Sequence, residues 1–196
     1  MNGIAPVAEA RVGRVLKMLS KWLAYAGGVA LSAAAVMTVV SITGRAMIWA
    51  GLGPIPGDFE LVELATAVAV FSFLPWSQIN RGQVTVDILV DTFPARPRIF
   101  LGMLGDLAMA VVSGVIAWRL WLGMGERMPF GSDTLRDLLA LGDKPYYPET
   151  TFILRMPVWW GYALAMVGAA FFAVVCAYTV WRALNWTLRG REEVLP

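Results

Sequence analysis

Residues Met156–Trp181 read MPVWWGYALAMVGAAFFAVVCAYTVW, 26 residues without a charge. As an α-helix rising 1.5 Å per residue, the stretch is about 39 Å long, more than the roughly 30 Å hydrocarbon thickness of a bilayer. Its length and apolarity decide the fold class, because a run of this kind crosses a membrane. Pro157 stands where the first turn of a helix accepts proline. Trp159 and Trp160 at one end, with Trp181 and Trp186 at the other, mark the two water–lipid boundaries as an aromatic belt does.

Three further stretches share this character. Trp22–Gly44 gives 23 residues with no charge. Phe59–Asn80 gives 22, with Glu60 and Glu63 near its front, and Ile99–Trp118 gives 20, with Asp106 as its one charge. The expectation is an all-α integral membrane protein, a single domain over residues 1–196 with four transmembrane helices and an outer loop over 119–155. A signal peptide is the alternative for the first stretch. Arg11, Arg14, Lys17 and Lys21 would be its basic region and Ser32-Ala33-Ala34-Ala35 its cleavage site. Against this, a secretory apolar core usually runs about 7–15 residues, shorter than Trp22–Gly44.

Composition agrees with the spans. Hydrophobic types make up 58% of the 196 residues and charged types 15%, with a mean hydropathy of +0.64. A soluble domain carries about 25% charged residues. Histidine is absent, which excludes His-ligated haem, H-E-x-x-H zinc sites and imidazole-based triads. Cys176 is the single cysteine, so neither an intrachain disulfide nor a cysteine metal cluster can form. A net charge of +2 is too small for nucleic-acid binding. No phosphate loop, nucleophile–base pair or metal-ligand spacing occurs, and no cofactor is expected.

Lys and Arg in the flanks orient the spans. Ten lie in the N-terminal arm, the second connection and the C-terminal tail, including Arg81, Arg96, Arg98, Arg182, Arg189 and Arg191. Six lie on the other side: Arg45, Arg119, Arg127, Arg136, Lys144 and Arg155. Both termini are therefore expected in the cytoplasm. Val12, Val15, Leu16 and Leu19 recur at helical spacing beside Arg14, Lys17 and Lys21, the pattern of a basic amphipathic helix that lies on an anionic leaflet and leads into the first span. Val86, Leu89, Val90 and Phe93 repeat that pattern before Pro94 and Pro97, giving a short interfacial helix with a strand as the alternative. In the outer loop, Ser132 or Asp133 is placed to cap a helix running to Leu141, stopped by Gly142. Lys144-Pro145-Tyr146-Tyr147-Pro148 is expected to be extended.

A few residues invite a functional reading. Gly161, Ala165, Ala169, Ala173 and Ala177 fall four apart on the last span. Four residues turn a helix by about 400°, so these small residues form one drifting stripe. Such a stripe lets another helix come close, within this chain or from a partner, although alanine-rich spans also produce it by chance. Ala24, Gly28 and Ser32 make a shorter version on the first span. Glu60 and Glu63 follow the turn Gly53-Pro54-Ile55-Pro56-Gly57. Glu63 is then only about 7 Å into its helix, at headgroup depth. The helix dipole favours acids there, and an ion or partner contact is the other reading. Asp106 lies near one end of its span and fits a helix interface, opposite a backbone or basic group, better than a proton relay. Pro75 either kinks the second span or ends it early.

The order of short motifs along the chain is distinctive. Pro56-Gly57-Asp58-Phe59-Glu60 opens the second span, Gly82-Gln83-Val84-Thr85-Val86-Asp87 follows it, and Met156-Pro157-Val158-Trp159 opens the fourth. This resembles the small membrane subunit, or Q subunit, of tripartite ATP-independent periplasmic (TRAP) transporters, over about residues 10–190. The family pattern has PG-x-x-E, then G-(H or Q)-(I or V)-x-V-D, then (I or M)-P-x-W. Gln83 stands where histidine is commoner, and the loop from Gly125 to Arg155 is long for the family. The resemblance implies a scaffold subunit in a bacterial inner membrane. Its partners would be a large multi-span permease subunit, which carries the substrate and sodium sites, and a periplasmic binding protein delivering an organic acid anion. On that reading Gly161, Ala165, Ala169, Ala173 and Ala177 are candidates for packing against the partner subunit. Glu60, Glu63, Asp87 and Asp106 are candidates for a polar interface. The outer loop from Phe130 to Tyr147 either touches the binding protein or is simply solvated. The rival to this reading is a self-sufficient homodimeric transporter using an in-membrane glutamate, which needs an acid near the midplane.

Overall fold

The computed structural model describes residues 4–81 and 95–189. Helix α1 runs over Pro6–Ala46, followed by a 3-10 turn at Ile48–Ala50. Helix α2 covers Asp58–Ile79, α3 Ala95–Arg127, the short α4 Asp133–Leu138, and α5 Trp159–Arg189. Four of these helices are long and apolar enough to cross a bilayer, as expected. The interfacial helix expected over Val86–Phe93 lies outside the described residues, and so does Asp87.

The helices pack in the order α1, α2, α5, α3. The chain reverses direction between consecutive spans, so the start of α1, the end of α2, the start of α3 and the end of α5 share one end of the bundle. We call this the terminal end and the opposite one the loop end. Helix α5 is central and the most buried of the spans, while α1 is the most exposed.

The contact between α1 and α2 rests on small residues. Gly13, Ser20, Gly27, Ala34 and Ser41 are all buried and stand seven apart. A spacing of seven drifts by only about 20° per step on a straight helix, so the row stays on one face along the whole of α1. Against Gly27 lie Ala69 and Ser72 of α2, and a Cβ on Gly27 would come within 2.8 Å of the Ser72 Cβ. Its neighbour Gly28 faces open space. The row Ala24, Gly28 and Ser32 noted in the sequence is therefore not the line of closest approach.

The basic arm leads into the first span, as expected. It does so without a break, and its inward residues are Glu9, Gly13, Leu16 and Ser20, while Val12, Val15 and Leu19 are exposed. Leu16 joins Ile79 of α2 and Val175 and Tyr178 of α5 in a small core at the terminal end, flanked by Trp76, Phe171 and Trp181.

Pro75 neither ends α2 nor stands at its edge; it is buried, and the helix runs on to Ile79. A proline lacks the N–H that would bond the carbonyl four residues back, here that of Phe71. Gly168 of α5 packs against that carbonyl, where a Cβ would sit 2.8 Å from the Phe71 oxygen. The glycine thus gives α5 room beside the backbone group that the proline leaves free. Pro157 lies just ahead of α5, paired with Thr150 in an antiparallel bridge, and its carbonyl accepts from the Trp160 N–H at 3.1 Å.

The α1–α2 seam yields a sharp comparison. Gly27→Val is expected to lower stability by about 1–3 kcal/mol through overpacking, while Gly28→Val changes it by less than about 0.5 kcal/mol. Thermal unfolding of the two variants in the same detergent measures the difference.

Candidate functional site

At the terminal end the polar side chains of α2, α3 and α5 meet. Asp106 of α3 is buried, and its Oδ1 accepts from Gln78 Nε2 of α2 at 3.0 Å. Gln78 Nε2 also reaches Thr179 Oγ1 of α5 at 3.1 Å. The other Asp106 oxygen pairs with Arg81, just beyond α2, at 3.2 Å. Through Asp106 and Gln78 together, three helices are tied to one another. The Arg81 guanidinium lies 4.5 Å from the centre of the Trp186 ring of α5. Arg182, one turn before Trp186, donates from Nη1 to the Ile79 carbonyl at the end of α2, at 3.1 Å.

A second polar group holds the N-terminal arm. Glu9 is buried and accepts from Asn185 Nδ2 at 2.7 Å and from Arg189 Nη2 at 3.1 Å. The Asn185 amide also brackets the Ile4 backbone, accepting from its N–H at 2.7 Å and donating to its carbonyl at 3.1 Å. Tyr178 donates to the Glu9 carbonyl at 3.3 Å. These contacts fix the inner side of the arm against α5, while Val12, Val15 and Leu19 stay exposed on its other side.

The loop end is ordered by two further anchors. Glu60, in the first turn of α2, accepts from the Ile153 N–H at 2.6 Å and the Leu154 N–H at 3.0 Å. Its carboxylate clamps the turn that precedes α5, which Thr151 N–H to Met156 O at 2.8 Å and Val158 N–H to Glu149 O at 3.1 Å hold together. Gly57, with φ of 75°, sits under the Leu154 side chain, where no Cβ fits. Asp58 accepts from Ser41 of α1 and lies 3.8 Å from Arg45.

Arg136 of α4 is the other anchor, and it is 2% exposed. Its guanidinium donates to six carbonyls, those of Gly125, Met128, Phe130, Leu141, Gly142 and Asp143, at 2.6–3.3 Å. One arginine thus closes the loop upon itself. Helix α4 ends at Leu138, short of the expected Leu141, and Ser132 makes no side-chain cap. Arg127 fixes the base of the loop, bonding Glu149 at 3.1 Å and lying 4.7 Å from the centre of the Tyr162 ring.

Of the acids singled out from sequence, Glu60 and Asp106 are engaged by groups of this chain at opposite ends. Glu63 is exposed and borders a cleft of about 430 Å³ with Leu64, Ala67, Phe71, Trp160 and Gly161. The small-residue stripe divides. Ala165 and Ala169 are buried, Gly161 faces Leu64 of α2, Ala173 is half-buried and Ala177 is exposed. A spacing of four drifts by about 40° per step, so the stripe winds from the α2 side out to the surface.

Sequence reasoning passed over Gln78, Thr179 and Asn185, and it counted Arg81, Arg136 and Arg182 only as flank charges. For Gln78, Thr179 and Asn185 a signal existed, since polar side chains in an apolar helix are favoured at helix–helix contacts. For Arg136 none did, because its partners are carbonyls of any residue type. Among the described residues no group of three or more Cys, Asp or Glu is placed to hold a metal ion.

These features define an all-helical, four-span membrane protein whose buried polar groups join its own helices. A family model described as tripartite ATP-independent periplasmic transporters, DctQ component, matches residues 34–185. The chain belongs to that family, the small permease component of TRAP transporters, as its motif order led us to expect. No curated protein and no solved structure matches it.

Replacing the central guanidinium of the outer loop tests how that loop is held. Arg136→Met is expected to lose about 2–4 kcal/mol of local stability, because it strands buried carbonyls. Amide hydrogen exchange should then accelerate across residues 125–143 while the middles of α2 and α5 stay protected.

Proposed function

We propose that this chain is the fixed scaffold subunit of a sodium-coupled, binding-protein-dependent transporter that imports an organic acid anion across a bacterial inner membrane. It braces a large permease subunit, which carries the substrate and sodium sites. Both termini face the cytoplasm, where ten of the sixteen basic residues would lie. The loop end faces the periplasm and helps to dock the solute-binding protein.

One observation carries the reading beyond family membership. The acids Glu9, Glu60 and Asp106 are held by hydrogen bonds and ion pairs within this chain, near the ends of the spans. A carrier that couples ions to solute needs ionisable groups open to a pathway near the midplane. A brace needs its helices locked together and an apolar surface left over for a neighbour. Val167, Val174 and Ala177 line such a surface on α5, and Val29 and Val36 line another on α1. Lipid and the large subunit are the natural occupants of such surfaces. At the loop end, Tyr146, Tyr147 and Phe152 are strongly exposed on a frame held by Arg136 and Glu60, which suits docking of a soluble partner.

Reconstitution separates this role from that of a self-sufficient carrier. Proteoliposomes holding this chain and its large subunit, with the binding protein outside, should take up solute under a sodium gradient, and this chain alone should take up none. Proton-driven uptake by the isolated chain would refute the brace. Within the small-residue stripe, Ala177→Leu should weaken co-purification with the large subunit and leave the melting temperature of the isolated chain unchanged. Ala169→Leu should instead destabilise the chain itself by about 1–3 kcal/mol, since that site is already filled from within.

A further inference from the structure

Arg182 differs from the other buried cations of this chain. It is 3% exposed, and its Nη1 donates to the Ile79 carbonyl. Its Nε and Nη2 are buried and make no hydrogen bond among the described residues. Those two nitrogens form one edge of the guanidinium, with parallel N–H bonds spaced to meet two oxygens of a single oxyanion. Trp186 lies beside it, with its ring centre 4.9 Å from the Arg182 Cζ, and the indole Nε1 is likewise buried without an acceptor among the described residues. Three donors of two neighbouring side chains are therefore left over.

Charge points the same way. Two guanidiniums, Arg81 and Arg182, share the Trp186 ring. Among the described residues the nearby carboxylates are taken, Asp106 by Arg81 and Gln78, and Glu9 by Arg189 and Asn185. A buried cation is normally matched by an anion, since desolvation is costly otherwise. The group sits where α2 ends and α5 passes its last tryptophans, the level at which aromatic side chains meet lipid headgroups.

We propose that the Nε–Nη2 edge of Arg182, with the indole N–H of Trp186 beside it, binds a phosphate group at the membrane boundary. A lipid headgroup and free phosphate offer the same oxygens, and the site reads that shared chemistry. Arg81 adds positive charge from the far end of α2, and Asp106 keeps Arg81 in place.

The full chain, purified in neutral detergent and stripped of lipid, is titrated separately with phosphatidylglycerol, a neutral diacylglycerol and inorganic phosphate. Native mass spectrometry follows the lipids and calorimetry follows phosphate. At least one phosphate-bearing ligand should bind and the diacylglycerol should not. Arg182→Gln should weaken that binding by about tenfold or more, and Arg182→Lys, which keeps the charge and loses the paired N–H edge, should fall between. Arg119→Gln, an exposed arginine of α3 toward the loop end, should bind as the parent does. Phosphatidylglycerol binding without phosphate binding assigns a lipid source, phosphate binding alone assigns a soluble one, and either supports the site. If Arg182→Gln does not elute as a folded protein, Arg182→Lys and Trp186→Phe carry the test, and parental binding in both overturns the proposal. Equal binding by Arg182→Gln and parent overturns it, as does absence of binding in every arm. Arg182-dependent capture of the large permease subunit with no phosphate binding also overturns it, by giving the edge to a protein carboxylate.

Discussion

Close approach of helix backbones is the condition on which this structure rests. Lipid is as apolar as leucine, so the hydrophobic effect that assembles soluble bundles contributes little between spans. Helices must instead fit together by contact, and contact is closest where side chains are absent. The buried row Gly13, Ser20, Gly27, Ala34 and Ser41 lets α1 lie against α2 at Ala69 and Ser72. Gly168 does the same for α5 beside Phe71, at the carbonyl released by Pro75. Gly123 of α3 receives the Tyr162 ring of α5. Each pair of adjacent spans thus meets where at least one partner has almost no side chain.

Polar groups then lock what the small residues allow to approach. They gather in two layers near the bundle ends rather than at its middle. At the terminal end Asp106 joins α2, α3 and the residues after α2, while Glu9 joins the arm to α5. At the loop end Glu60 holds the turn before α5, and Arg136 holds its own loop. Near the headgroups such groups incur less desolvation than at the midplane, and their hydrogen bonds remain strong enough to select one packing. A frame tied at both ends resists the rocking and gating motions by which carriers expose a solute site. That rigidity is the physical link between this architecture and the bracing role we propose.

Much of this was legible in the residues. The four spans follow from uninterrupted apolar length, and the short helix α4 was expected between Ser132 and Gly142, although it stops at Leu138 and Ser132 makes no side-chain cap. Motif order alone pointed to the family that the model match then established. Other points were not legible. A four-residue spacing of small residues on α5 was conspicuous, yet it winds around the helix and ends at the surface by Ala177. The seven-residue spacing on α1 was less conspicuous and is the one that stays on a single face. The arm's apolar row Val12, Val15, Leu16 and Leu19 splits, with Leu16 inward and the other three exposed, and Glu9 turns inward because Asn185 and Arg189 of a helix far away in sequence meet it there.

What the sequence by itself determined is the set of segments that enter lipid, since transfer of an apolar helix depends on its own length and composition and on nothing distant. It also determined where the chain turns, through the Gly53–Gly57 bend and the prolines around the outer loop. Only the tertiary structure decided which spans are neighbours and what each buried charge touches. Helix order depends on pairwise fit between surfaces that are all apolar, so composition does not discriminate among the arrangements. The partners of Asp106, Glu9 and Arg182 are side chains and carbonyls brought near by that order, those of Arg136 are carbonyls of its own loop, and a carbonyl leaves no mark in the residue it belongs to.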